Sequence, residues 1–291
     1  MKEFNSFYKS IEGRKFNTWC NYTKRIDTYG CGCQHDCSYC YAKSLLNFRG
    51  LWNTHKPSTA KVYKIKNKVK DLSLFDVVKL GGMTDCFQPL EKVQRATYNT
   101  ILWLNRYKIN YLIVTKSSLV SSDEYVNIYD KTLAHFQITI TNTDNEKAFE
   151  YEKASKITDR IKSIEKLHRL GFDVSIRLSP FIKEYIDFSV LNSIKCSKIL
   201  IEFLKVNHWI KKWFNIDYSE YTLKYGGYNH LELGNKIQLI EHIKGFNQLS
   251  VGEYVKDHYL YFRDNVNYNK KDCCNLTLKK YTHPKQLKLF K

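Results

Sequence analysis

Short apolar runs recur along the chain, separated by segments with helical spacing. Phe75–Leu80, Tyr111–Thr115, Ala134–Ile140, Asp173–Leu178 and Lys198–Phe203 have the length and the Val, Ile, Leu and aromatic content of buried strands. Ala96, Ile101, Leu102 and Leu104 mark a helix from about Lys92 to Arg106. Ile161, Ile164, Leu167 and Leu170 form one face of a helix from Ile157 to Leu170, with Gly171 as its stop. A further helix is expected from Ala42 towards Phe48. Strands alternating with helices predict βα units and a parallel sheet, an α/β fold. In such folds the ligand-binding groups lie at the carboxyl ends of the strands. That rule gathers Thr84, Asp85, Lys116, Thr139 and Arg177 on one rim. Gly81-Gly82, directly after the first of these strands, suits a close backbone approach to a ligand.

Candidate chemistry is concentrated in Tyr29–Ala42. Cys33, Cys37 and Cys40 stand in C-x3-C-x2-C spacing. One loop can wrap three such thiolates around three irons of a cubane cluster, leaving the fourth iron without a protein ligand. The competing reading is a structural zinc site with Cys31 or His35 as its fourth ligand. The spacing, followed directly by Tyr41, resembles the hallmark of radical S-adenosylmethionine (SAM) enzymes. That resemblance implies a [4Fe-4S] cluster on Cys33, Cys37 and Cys40, SAM chelated at the open iron, and cleavage of SAM to a 5′-deoxyadenosyl radical. It also implies a partial (β/α)6 barrel and an external electron donor such as flavodoxin or ferredoxin.

A narrower resemblance, over about Tyr29 to Ile182, is to the spore photoproduct lyase-like family. It rests on the cluster loop, the Thr84-Asp85 turn, Val114-Thr115-Lys116, Thr139, Phe149-Glu150 through Ile161, and Gly171-Phe172 leading to Ser179-Pro180-Phe181. It implies that Thr84, Asp85, Lys116 and Thr139 hold SAM. It further implies that Tyr39 and Tyr41 serve radical transfer and the SAM pocket. Simple chemistry agrees for two of these residues, because an amino acid zwitterion needs a cation and an acceptor, as lysine and aspartate provide. The lyase's hydrogen-donating cysteine corresponds here to Gly82, so Cys86 becomes the substitute candidate. Arg177 joins the cofactor-binding candidates from its place on the rim.

Composition adds a partner. The 291 residues carry 47 basic and 29 acidic side chains, a formal net charge of +18, which suits an anionic partner, with nucleic acid, and DNA in particular, the first candidate. A peptide or small-molecule substrate, with the charge incidental, is the alternative, and a zinc-bearing nucleic-acid-binding module a third reading. Residues 1–205 are expected to form the core, and 206–291 a C-terminal extension, in which Trp209 and Trp213 among Lys205, Lys211, Lys212 and Lys224 suit base stacking. The chain shows neither a secretory leader pattern nor an apolar run of membrane-spanning length, so a cytoplasmic location away from the membrane is expected. Gln286–Phe290 resembles the short Gln-Leu-x-Leu-Phe peptides that dock on the bacterial DNA sliding clamp.

Overall fold

In the computed structural model, residues 20–278 and the strand Phe7–Lys9 are described. The tail Gln286–Phe290 lies outside the described residues. One eight-stranded sheet organises the chain. Its strands in chain order are β1 (Phe7–Lys9), β2 (Lys24–Ile26), β3 (Val77–Leu80), β4 (Asn110–Thr115), β5 (Ala134–Ile140), β6 (Asp173–Phe181), β7 (Lys198–Phe203) and β8 (Gln248–Val251), and they lie side by side in that order. β1 runs antiparallel to β2, and the seven strands β2 to β8 are mutually parallel. The expected partial barrel of βα units is what the chain builds. It is wider than the five strands legible in the sequence, because β2 and β8 are too short to show a pattern.

Alternation along the strands explains both faces. Val78, Leu80, Tyr111, Ile113, Phe136, Ile138, Ile140, Ile176 and Leu178 face outward into the main apolar core. There they meet Ile65 and Val69 of the helix Val62–Val69 (α2), Ile101 and Leu104 of Ala96–Arg106 (α3), and Ile164 and Leu167 of Ile157–Arg169 (α4). Each fully buried aliphatic side chain contributes about 1.5–3 kcal/mol. The alternate residues point inward. Low in the barrel, Val77, Leu112 and Leu200 form a small second core with Tyr22 and Cys274. Above it the inward positions turn polar: Lys79, Gln137, Arg177 and Glu202.

Two expectations change. The helix from Lys92 to Arg106 is two pieces, Glu91–Gln94 and α3, because Arg95 adopts a left-handed conformation with φ +53°. The buried Glu91 carboxylate stabilises this break by accepting the Thr97 and Tyr98 amides at 2.9 and 2.8 Å. The division near residue 205 does not separate the sheet. Gln248–Val251 pairs in register with Lys198–Ile201, and Asn275 and Thr277 tie into the barrel floor, so the C-terminal stretch completes the core. Among the described residues, no helix is long and apolar enough to cross a membrane.

Candidate active site

A cavity of about 460 Å³ opens at the carboxyl ends of the strands. Its lining includes Cys33, Cys37, Cys40, Tyr39, Tyr41, Thr84, Asp85, Lys116, Thr139 and Arg177. Ten of the eleven expected site residues therefore share one space. Cys86 does not: it is fully buried in the outer core, and its carbonyl accepts the Thr97 hydroxyl. The cause is local. Asp85 Oδ1 accepts the Phe87 amide at 2.8 Å, a tight turn that swings residue 86 away from the cavity.

The cysteine loop precedes a short helix, Tyr41–Leu46 (α1), and the Lys43 amide lies 3.5 Å from Cys40 Sγ. One helix-start amide therefore points at a thiol of the loop. Gly32 is required here, since a Cβ would fall 1.9 Å from Asn53 O. Burial pushes the Cys33 thiol up to about 12, with the Asp85 charge adding to it. Burial also raises Cys37 and Cys40, against which the Lys116 ammonium acts in the opposite sense. Thiols in such a place ionise when a cation compensates them, as iron does. Among the described residues, no three His, Cys, Asp or Glu side chains converge as they would on a single ion. A cubane's three cysteine ligands reach three separate irons and need no such convergence. His35 is directed at Asp85, its Nδ1 3.3 Å from Oδ2 and out of line for a hydrogen bond.

Thr84 to Glu91 acts as a brace for this loop. Gln88 Oε1 accepts the Gln34 amide at 2.9 Å, and Gln34 Oε1 accepts the Leu90 amide at 2.7 Å. The Thr84 hydroxyl donates to Tyr29 O, and the Tyr29 hydroxyl donates to Glu91. Asp85 also accepts the Thr115 hydroxyl and the Lys116 amide, both at 2.7 Å. Burial alone would raise this carboxyl, but His35 and these hydrogen bonds outweigh it and hold it down to about 2. Thr84 and Asp85 thus spend their polar atoms on positioning. Gly81, with φ +84°, packs so close to β4 that a Cβ would lie 2.4 Å from Val114 O.

Lys116 and Thr139 keep cavity-facing groups. Lys116 Nζ sits 5.5 Å above the Tyr39 ring. Tyr39 is buried, with its hydroxyl donating to Glu152, whereas the half-exposed Tyr41 donates to Gly82 O. Sequence reasoning missed Glu152, which accepts Thr141 Oγ1 at 3.0 Å and pairs with the buried Arg160. Burial would raise its carboxyl, and Arg160 and Lys116 turn the shift downward. On the far wall, Cys20, Cys273 and Cys274 line the same cavity with Arg25, Lys79, Glu202, Lys205 and Tyr254. The sequence shows Cys273-Cys274 as an adjacent pair, which reads as buried thiols first and as a substrate-side donor second. Arg177 donates to Gln137 Oε1 at 2.7 Å and pairs with Glu202.

The sequence profile of the radical SAM superfamily matches residues 28–188, more than half of the chain, and the chain belongs to that superfamily. It is a radical SAM enzyme, and its cofactors are the [4Fe-4S] cluster and SAM. An uncharacterized protein of Methanocaldococcus jannaschii is 26% identical over 160 residues, which are 54% of this chain and 60% of that protein's length. Among solved structures, a mutant of spore photoproduct lyase superposes with TM-score 0.60 at 13% identity, over 84% of this chain and 81% of that one. The lyase complexed with dinucleoside spore photoproduct gives TM-score 0.59 at 14% identity, with the same coverage. SuiB of Streptococcus suis gives 0.52 at 15% identity, over 84% of this chain and 53% of that one. At these identities the likeness is one of fold.

Proposed function

We propose that Cys33, Cys37 and Cys40 hold the cluster, that Lys116 and Thr139 receive SAM beside it, and that the substrate is nucleic acid. The observation that carries the cofactor reading is that three free thiols on one loop and a lysine line one cavity, with a helix-start amide at one of the thiols. When bound, the cluster and SAM supply a 5′-deoxyadenosyl radical, chemistry that belongs to the cofactors. The chain's part is to bind and orient. Lys116 offers a cation to the SAM carboxylate, while Asp85 and Thr84 are positioning residues that fix the loop and the Lys116 backbone. Tyr39, anchored on Glu152, forms the floor under Lys116, and Tyr41 closes the Gly82 side. A substrate carbon radical is quenched by a thiol hydrogen, because S–H bonds are weaker than C–H bonds. Outside the cluster loop, the thiols that line the cavity are Cys20, Cys273 and Cys274, and they replace Cys86 as donor candidates.

Support for nucleic acid comes from aromatic rings set among cations. Lys205 Nζ lies 4.5 Å from the Tyr254 ring at the cavity wall, and Tyr254 stacks on His230 with centroids 5.9 Å apart. On the adjoining helix His208–Trp213, Trp209 and Trp213 stack at 5.6 Å, and Lys43 of the cluster helix covers Trp213 at 5.2 Å. Such surfaces hold extruded or single-stranded bases. Spore photoproduct lyase, of the same fold, has been solved with a dinucleoside lesion. The cluster draws its electron from a flavodoxin or ferredoxin, and the clamp-like tail would bring the enzyme to DNA.

The test is anaerobic. Cluster-loaded protein given reductant, SAM and single-stranded DNA, duplex DNA, tRNA or a peptide should release 5′-deoxyadenosine fastest with a nucleic acid. Binding should weaken steeply with salt, with a slope near −0.7 per phosphate contact on a single strand. Stimulation by peptide alone, with salt-independent binding, overturns the nucleic-acid half and leaves the cofactor half standing.

A further inference from the structure

Two lysines are buried inside this barrel, and one of them makes no hydrogen bond or ion pair among the described residues. Lys79 is 8% exposed. Its neighbours on β3, Val78 and Leu80, pack outward, so its side chain extends inward, where it lines the cavity. Arg25 is its register partner on β2, and Arg177 stands across the same space. The nearby carboxylates are committed elsewhere. Glu202 takes Arg177 and the Ser179 hydroxyl, and Glu253 takes Lys236 at 2.6 Å. Burial, and then the Arg177 charge, lower the Lys79 pKa against the opposite effect of Cys20 and Cys274, and Glu202, which feels the Lys79 charge, makes no ion pair with it.

Buried cations are ordinarily paired, since an isolated one loses its hydration without return. SAM does not supply the missing charge, because its sulfonium and ammonium outweigh its carboxylate. We propose that Lys79, with Lys205 at the mouth, forms an oxyanion subsite beside the Arg177–Glu202 pair, one that draws a phosphate group of the substrate into the barrel interior. Phosphate fits better than a single carboxylate, because two ammonium groups, Lys79 and Lys205, line one cavity and phosphate carries the greater charge. The inference rests on the radical SAM reading of the cavity and deepens it, since it requires the substrate to enter phosphate-first and not lie only across the rim.

The experiment uses the full cluster-loaded chain, with inorganic phosphate and the dinucleotide thymidylyl-thymidine as probes and SAM as the control ligand. Calorimetry should show phosphate and dinucleotide affinity reduced about tenfold by Lys79→Met and largely kept by Lys79→Arg, with SAM affinity and iron content unchanged. Two results overturn the subsite: phosphate affinity equal in Lys79→Met and wild type, or SAM affinity falling together with it, which would assign Lys79 to the cofactor. Failure of the wider reading looks different. If the probes bind through Lys79 yet no nucleic acid stimulates SAM cleavage, the subsite stands and the nucleic-acid substrate falls.

Discussion

Lys79 and Lys198 occupy the same barrel at different depths, and their surroundings are opposite. Lys198, 7% exposed, donates to Asp173 at 2.5 Å, to Asn275 O at 2.7 Å and to Thr277 Oγ1 at 2.8 Å. Asp173 in turn holds His135 Nδ1 at 2.6 Å and the Thr277 amide at 2.8 Å. This floor is a network that pins the C-terminal segment to the sheet. Lys79, equally buried, lines the cavity and makes no ion pair among the described residues. A charge with all its partners inside the chain serves the fold, and a charge without them is kept for something that arrives later. The barrel is stabilised at its floor and reactive at its mouth.

The comparison can be broken from either end. The largest effect is expected at the mouth: replacing any one of Cys33, Cys37 or Cys40 by alanine should abolish SAM cleavage and lower iron content, without unfolding the floor. Full deoxyadenosine release from a single alanine variant would remove the cluster assignment. Next comes the lysine pair. Lys198→Met breaks a buried ion pair and should cost about 3–5 kcal/mol in urea unfolding, whereas Lys79→Met should be neutral or stabilising. Equal costs would erase the distinction between the two ends.

A smaller effect follows from pH. Burial would raise the Asp173 carboxyl, but His135 and Lys198 hold it at about 2. A carboxylate depressed in the fold contributes stability that is full above the unfolded value near about 4, and that is lost as pH falls through about 2. Asp173→Asn should therefore flatten the acid limb of the stability curve between those values by about 2 kcal/mol. An unchanged acid limb would mean that the floor network does not carry it. The smallest effect is on thiol reactivity. Cys20 and Cys273, partly exposed in the cavity, should be alkylated in the native protein, while Cys86 should react only after unfolding. Prompt labelling of Cys86 would return it to the list of hydrogen donors.

Much of the fold was legible because its strands are long enough to repeat a pattern. Ala134–Ile140 and Lys198–Phe203 stand at the expected boundaries, and the helix ending before Gly171 stops where φ turns positive, at +79°. Lys24–Ile26 and Gln248–Val251 were not legible, since three or four residues carry too little periodicity and their pairing partners lie far away in sequence. For the site, the cysteine spacing named the chemistry, and the strand-end rule brought Thr84, Asp85, Lys116, Thr139 and Arg177 to one rim. The roles within that set were not legible. The sequence does not show that Asp85 also accepts from Thr115, Lys116 and Phe87, or that the Thr84 hydroxyl donates to Tyr29 O.

The sequence by itself determined what local spacing can encode: three thiols on one loop, alternating strands and helices, and a glycine pair at a strand end, expected to face a ligand and found at Gly81 to let the backbone pass close to β4. Only the tertiary structure decided which buried charges find partners. Lys79 and Lys198 both sit in strands, and no local pattern distinguishes them. The difference is made by Asp173, Asn275 and Thr277, which come from remote parts of the chain and reach one lysine and not the other. Pairing in a barrel interior is a long-range property, because each strand contributes inward groups whose neighbours are set by register and closure, and not by the residues beside them in sequence.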